Sequence, residues 1–321
     1  MIKLVRHKDA KEVIERLGRG ESPESLGLKQ LQNGFIDLSG IVVQTTKPMG
    51  KFHADGATFV YGPPPTFENI HLENVDLSRA NLAYSLWVRC SFRNVHFANS
   101  KARGVNFTSS TMESARFEDS DLKLANWGMD RLNGPLVIDT LFVGCDLRQS
   151  MYAHPLFRNC RWVDCNLKGI NFRGSRFEDC SFEGLLDEVW FRGHSSDPEP
   201  RIAALRNPMK NVDFSRAELT GVSFSHGIDL TSCEFPSEGY VRIFHPEKVY
   251  REALRRVQSN WPEGGAKERA MFYLEGMSEQ HFPEAQPFTI IRESDFDDWP
   301  GAHDVGPRVL KVLKESSNQT L

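Results

Sequence analysis

Val75-Asp76-Leu77-Ser78-Arg79-Ala80-Asn81-Leu82-Ala83-Tyr84 holds two copies of one five-residue pattern: a small or β-branched residue, a carboxylate or amide, a leucine, then two more residues. Stepping outward from Leu77 in fives reaches Phe67 and Leu72 on one side. On the other it reaches Leu82, Trp87, Phe92, Phe97, Ala102, Phe107, Met112, Phe117 and Leu122. The series continues through Trp127, Leu132, Val137, Phe142, Leu147, Tyr152, Phe157, Trp162, Leu167, Phe172, Phe177 and Phe182. All twenty-four positions are apolar, in a chain whose overall hydrophobic fraction is 40%. Chance agreement is on the order of 10⁻¹⁰.

A period of five belongs to neither a helix nor a single strand, whose side chains repeat every 3.6 and 2 residues. It implies one large inward side chain per repeat, followed by a turn. The position two before each large residue is small or β-branched almost throughout, as at Val75, Ala80, Ser85 and Cys90, with Pro65, Asp130, Pro135 and Pro155 as exceptions. The position two after it is rich in Asn, Asp and Gly, which favour tight turns. The core expected from this frame includes Phe92, Phe97, Phe107, Phe117, Trp127, Phe142, Phe157, Trp162, Phe172, Phe177 and Phe182.

These residues resemble the pentapeptide-repeat family, whose motif is A(D/N)LXX with Phe alternating for Leu. The resemblance spans 67–182 and a shorter block further on. It implies an all-β solenoid, a right-handed quadrilateral β-helix with four repeats per coil, bearing α-helical N-terminal and C-terminal caps. On that template the twenty-four repeats form six coils, stacked at the inter-strand spacing of about 4.8 Å.

The chain divides into an N-terminal capping region and linker (1–60), the main solenoid (61–191), an inserted loop (192–208), a second short repeat block of the same solenoid (209–237) and a helical tail (240–321). His7 to Leu17 reads as an amphipathic helix, and Ser22-Pro23-Glu24-Ser25 as a second helix start. Phe35-Ile36-Asp37-Leu38-Ser39-Gly40-Ile41 is an isolated pentapeptide that can begin the sheet, and Val189-Trp190-Phe191 reads as a distorted repeat. In the tail, Pro246–Asn260 and Ala266–Gln280 show helical periodicity, the second presenting Ala270, Phe272, Tyr273, Leu274 and Met277 on one face. A third helix is expected near Pro307–Lys314. This tail resembles that of many bacterial members of the family, and its simplest role is to cover the last coil.

With 39 Lys+Arg against 43 Asp+Glu, the chain lacks the basic excess of a nucleic-acid binder, so no direct nucleic-acid binding is expected. No apolar run reaches the length of a membrane span and Met1 to Asp9 shows no signal-peptide core; a cytoplasmic protein is expected. The cysteines Cys90, Cys145, Cys160, Cys165, Cys180 and Cys233 all occupy the small inward slot, which favours reduced thiols packed as small hydrophobes. Cys145/Cys165 and Cys160/Cys180 lie twenty residues apart, one coil on the template.

Outward positions turn apolar in one region. Leu136, Ile138 and Leu156 fall on one face, Leu141, Val143 and Val163 on the next, with Met151 nearby. The patch is covered either by another part of this chain or by a partner. No catalytic signature, no metal-ligand spacing and no cofactor motif is present, so no enzyme, metal or cofactor is expected.

The leading expectation is a non-catalytic scaffold that binds an unidentified protein partner. A structural adaptor or self-associating protein, a homodimer included, is a further reading. Resemblance to the family supplies an alternative: some members mimic DNA and bind a type II topoisomerase, DNA gyrase, protecting it from inhibitors. Mimicry needs a dominant negative potential. Between Phe67 and Phe182 there are 13 acidic and 14 basic residues, and Arg103 and Lys123 make one edge basic.

Overall fold

Each repeat forms a short strand and a corner, and the corners close the chain into a four-sided β-helix. The computed structural model describes residues 7–43, 51–54, 57–60, 64–129, 134–194, 201, 205–281, 286–297, 299 and 303–320. The non-glycine corner residues, two after each large side chain, have φ between 47° and 62° from Asn69 to Asp179, Met129 excepted. Asn and Asp tolerate that left-handed conformation better than other L-residues, which explains their frequency there. Corner amides also bind one another along the axis: Asn94 Nδ2 donates to Asn74 Oδ1 at 2.6 Å and Asn211 Nδ2 to Asp179 Oδ1 at 2.8 Å.

Parallel strand pairing defines four faces. Face A stacks Leu72, Phe92, Met112, Val137, Phe157 and Phe177. Face B stacks Phe97, Phe117, Phe142, Trp162 and Phe182. Face C is joined through bridges running Asn81, Lys101, Asp121, Asp146 and Asn166. Face D stacks Phe67, Trp87, Phe107, Trp127 and Tyr152. All eleven expected core aromatics are at most 2% exposed. On face B the rings lie nearly parallel from Phe97 to Phe235, with centroids 4.4 to 5.5 Å apart. Offset stacking of this kind adds about 0.5–1.5 kcal/mol per pair beyond area burial.

The small slot also carries hydrogen bonds between coils. Cys90 N–H donates to Ser110 Oγ and Ser100 N–H to Ser120 Oγ, both at 3.1 Å. These bonds satisfy buried hydroxyls whose desolvation would otherwise be costly.

The coil count departs from the template. Phe97 pairs with Phe117, twenty residues on, but Phe117 pairs with Phe142, twenty-five on. Ser109 N–H donates to Gly128 O and Leu136 N–H to Ser110 O, so the sequence between stacked positions is five residues longer here than at another corner, while the period of five continues unbroken. Leu132, counted in the periodic series, lies outside the described residues.

The solenoid extends past both expected ends of its main block. Ile36 and Asp37 pair with Val75 and Asp76, and Val42 bridges Asn81, so its first coil begins inside the stretch assigned to the cap. Helix α1 (His7–Gly18) packs on that end with Ala10, Ile14 and Leu17 buried. A Cβ on Gly18 would stand 2.1 Å from Ile70 Cγ2, so this approach requires glycine. Ser22 to Gly27 makes a turn, not a second helix: Leu26 N–H donates to Ser22 O, and Gly27 follows with φ +67°. Further on, Phe191 stacks between Phe172 and Phe224 at 5.2 and 5.3 Å, a full member of face D. Most of the 192–208 loop lies outside the described residues.

The tail is not helical alone. Tyr240–Phe244 and Phe288–Arg292 form an antiparallel ribbon between the last coil and helices α2 (Pro246–Asn260), α3 (Gly265–His281) and α4 (Val305–Thr320). Side chains of this unit complete the exposed backbone edge of the last coil. Leu219 N–H donates to Tyr240 Oη at 2.8 Å and Gly221 N–H to Asp295 Oδ2 at 2.9 Å. Gln286 Nε2 donates to Phe224 O at 3.2 Å and to Phe288 O at 2.9 Å. Unpaired sheet edges invite further strand addition, and here they are closed without a further coil. The three helices share a second core that includes Val249, Tyr250, Leu274, Val309 and Leu313. Phe272, expected on the inward face of α3, is 80% exposed.

Candidate partner-binding surface

Inside the solenoid every large side chain is used in packing, so whatever the solenoid recognises meets its outward columns. Two outward side chains flank each large residue, and each stacks on its counterpart in the next coil. On faces A and B these columns tend to alternate in sign. Arg93 Nε meets Glu113 Oε2 at 3.1 Å, Arg158 Nε meets Glu178 Oε2 at 2.8 Å and Arg216 Nη1 meets Glu183 Oε2 at 2.9 Å. Each joins adjacent coils and is solvent-exposed, worth about 0–1 kcal/mol.

The expected apolar patch is distributed through these columns. Leu136 stacks on Leu156, with Thr111 before and Arg176 after. Val143 stacks on Val163, with Glu118 before and Glu183 after. Ile138 lies between Glu113 and Arg158, and Leu141 between Arg116 and Arg161. These six are half-buried, while Met151 stands apart on face D beside Asn126 and is 44% exposed. The structure therefore brings together two aliphatic pairs on adjacent faces, the valines between two glutamates and the leucines between Thr111 and Arg176. The helices pack at the two ends of the solenoid, α1 near Ile70 and α2–α4 beyond the ribbon.

One outward column keeps a positive sign through four successive coils. At the outer edge of face C, Arg103, Lys123, Arg148 and Lys168 follow one another in successive coils; Gly104 N–H donates to Lys123 O and Leu124 N–H to Arg148 O, and Asp146 bridges Asn166. The fixed twenty-residue step finds only the first two, because it arrives at Val143 and Val163 after the enlarged corner. A twenty-five-residue step at that corner was the signal needed.

The six cysteines are buried free thiols. Burial pushes Cys90 and Cys160 up from the ordinary thiol value, and Cys233 up to about 12, so they stay protonated and poorly nucleophilic at neutral pH. Among the described residues no group of three or more His, Cys, Asp or Glu is placed to hold a metal ion. No described helix is long and apolar enough to cross a membrane.

A family model described as pentapeptide repeats matches residues 90–126 and 156–184, in eight copies. Among solved structures the chain is similar to QnrB1, a plasmid-mediated fluoroquinolone resistance protein, with 14% identity, covering 59% of this chain and 91% of that one, at a TM-score of 0.25. It is also similar to HetL of the cyanobacterium Nostoc sp. strain PCC 7120, a pentapeptide repeat protein involved in heterocyst differentiation regulation. There the identity is 16%, the coverage 53% and 83%, and the TM-score 0.18. Rfr23 of the cyanobacterium Cyanothece 51142 shows 11% identity, coverage of 46% and 87%, and a TM-score of 0.15. No curated protein matches the chain. The chain carries pentapeptide repeats, and its solenoid has the right-handed quadrilateral β-helix fold that such repeats build.

Proposed function

We propose that this protein is a non-catalytic scaffold that binds a partner protein through the outward faces of its solenoid. The observation that carries the reading is the division of labour between inside and outside. The aromatic stacks and buried thiols fill the interior, while the ionisable side chains of the repeats project outward on regular columns. A surface of that kind recognises by shape and charge. The paired leucines Leu136 and Leu156 and the paired valines Val143 and Val163 are the contact points we assign, since half-buried aliphatic side chains flanked by polar and charged residues resemble the core and rim of a protein interface. A DNA-mimic role is not proposed: no outward column in the described solenoid carries carboxylates through more than two successive coils.

Affinity capture from the native host, followed by reconstitution from purified components, tests the scaffold. A stoichiometric complex is expected, with Leu156→Asp weakening it at least tenfold while the thermal midpoint moves by less than about 2 °C. Failure to reconstitute a complex with any captured protein would contradict the reading. Light scattering of the same variant separates a foreign partner from a second copy, because only self-association changes the mass of the isolated protein.

A further inference from the structure

The column Arg103, Lys123, Arg148 and Lys168 stacks four cations at the coil spacing of about 4.8 Å, in a protein of net charge −4. Elsewhere the solenoid relieves such crowding within the column, as at Arg93–Glu113 and Arg158–Glu178. Here one carboxylate, Asp146, lies to the side, and one, Asp187, follows the cations within the column, its carbonyl accepting from Gly169 N–H as Lys123 O does from Gly104 N–H. Arg148 is held by Asp146 through Nε at 2.9 Å and Nη2 at 2.6 Å, and Lys168 by Asp187 at 2.6 Å. Neither Arg103 nor Lys123 makes an ion pair with any described residue.

Face D, which follows this edge around the corner, carries few carboxylates: Glu68 in its first rung pairs with Arg89 at 3.7 Å, and Glu188 follows Asp187 at the corner. Residues 84–89, 104–109, 124–129, 149–154 and 169–174 contain no Asp or Glu, and their charged residues are Arg89 and Arg173. The face offers instead the amides Asn106 and Asn126 and the exposed thioether of Met151. The near-balance of 13 acids and 14 bases thus conceals a sided rod: among the described residues its carboxylates other than Glu68 lie on faces A and B, at their corners and on the near edge of face C.

We infer that face D and its cation edge form a docking surface for an acidic protein segment. The inference rests on the scaffold reading and adds a second contact surface, apart from the aliphatic pairs of faces A and B. Carboxylates are favoured over a phosphodiester chain by the modest charge: two of the four cations already share a carboxylate, and nucleic-acid affinity scales with the number of phosphates neutralised. The amides and thioether beside the cations supply hydrogen bonding and apolar contact of the kind a polypeptide uses. A second copy docking face D to face D with the rods antiparallel is disfavoured, because it would bring two cation edges together.

The probe is a fluorescent decaglutamate peptide, titrated into the full chain at 50 mM salt. Binding that weakens with salt is expected. The double variant Arg103→Glu, Lys123→Glu should lose at least tenfold in affinity, whereas Arg93→Glu, Arg161→Glu, with the same charge change on faces A and B, should lose less than twofold. Equal loss in both variants would reduce the effect to net charge and overturn the inference, as would absence of binding to the wild-type chain. Tighter binding of decathymidine, lost in the same edge variant, would assign the surface to a phosphate backbone and also overturn it. If the captured partner still binds the edge variant normally, this surface fails while the scaffold reading stands.

Discussion

The solenoid and the C-terminal unit solve the same problem, closing a hydrophobic interior, by opposite means. In the solenoid one side chain per repeat is large, each stacks on its counterpart, and burial is shared among equivalent positions such as Phe97, Phe117 and Phe142. The C-terminal unit repeats nothing. It seals the last coil with single side chains, each used once: Tyr240, Gln286 and Asp295. A repeated interior keeps its form through an enlarged corner, because each coil answers only to its neighbours. A single-use seal depends on each of its members.

The sharpest way to break that comparison is to remove a ring. Phe117→Ala, fully buried between Phe97 and Phe142, should cost about 3–5 kcal/mol in chemical denaturation. Glu118→Ala, one residue away and outward, should be near neutral. Phe272→Ala, a ring of the same kind that α3 leaves 80% exposed, should cost less than about 0.5 kcal/mol. Comparable losses in all three would mean that burial does not decide stability here.

A smaller effect probes the seal. Gln286 is 3% exposed and donates to two carbonyls, so Gln286→Ala should cost about 1–3 kcal/mol by leaving buried acceptors unmet. Faster amide exchange at the ribbon and the last coil, with unchanged exchange at Phe97 to Phe142, is the expected signature. Uniform acceleration along the solenoid would show that the seal and the coils melt as one unit.

The smallest effect is electrostatic. Burial raises the Asp295 carboxyl above its usual 3.8, against the lowering influence of Gly221 N–H and Arg292. A raised folded value means that the folded chain holds this proton more tightly than the unfolded chain does. The group's contribution is therefore most favourable below 3.8 and is lost as pH rises through the folded value. Asp295→Asn keeps an acceptor for Gly221 and removes the buried charge. Its thermal midpoint at pH 7 should match or exceed the wild type by about 1–2 °C, and the difference should vanish in acid. A lower midpoint at pH 7 would mean that attraction to Arg292 outweighs desolvation.

The same contrast explains what the sequence discloses. A side chain repeated at fixed spacing is visible in one dimension, so the inward slots, the corners and the thiols of the small slot are all legible. The enlarged corner at 129–134 is hidden, because an insertion of one whole period leaves the pattern in phase. That is why Arg148 and Lys168 were not seen to continue Arg103 and Lys123. The start of the solenoid at Ile36 was faint because one pentapeptide carries little statistical weight. In the tail, the ribbon strands Tyr240–Phe244 and Phe288–Arg292 are short and separated by two helices, and nothing local marks them as partners. Phe272 misled for a different reason: helical spacing identifies residues near one face, while the packing partner decides which of them is covered.

Hydrogen exchange of the chain with and without its reconstituted partner tests the scaffold most directly. Slowed exchange is expected at outward positions of one or two adjacent faces through several successive coils, with the aromatic interior equally protected in both states. Protection confined to the C-terminal unit, or no protection anywhere on the solenoid, would contradict it.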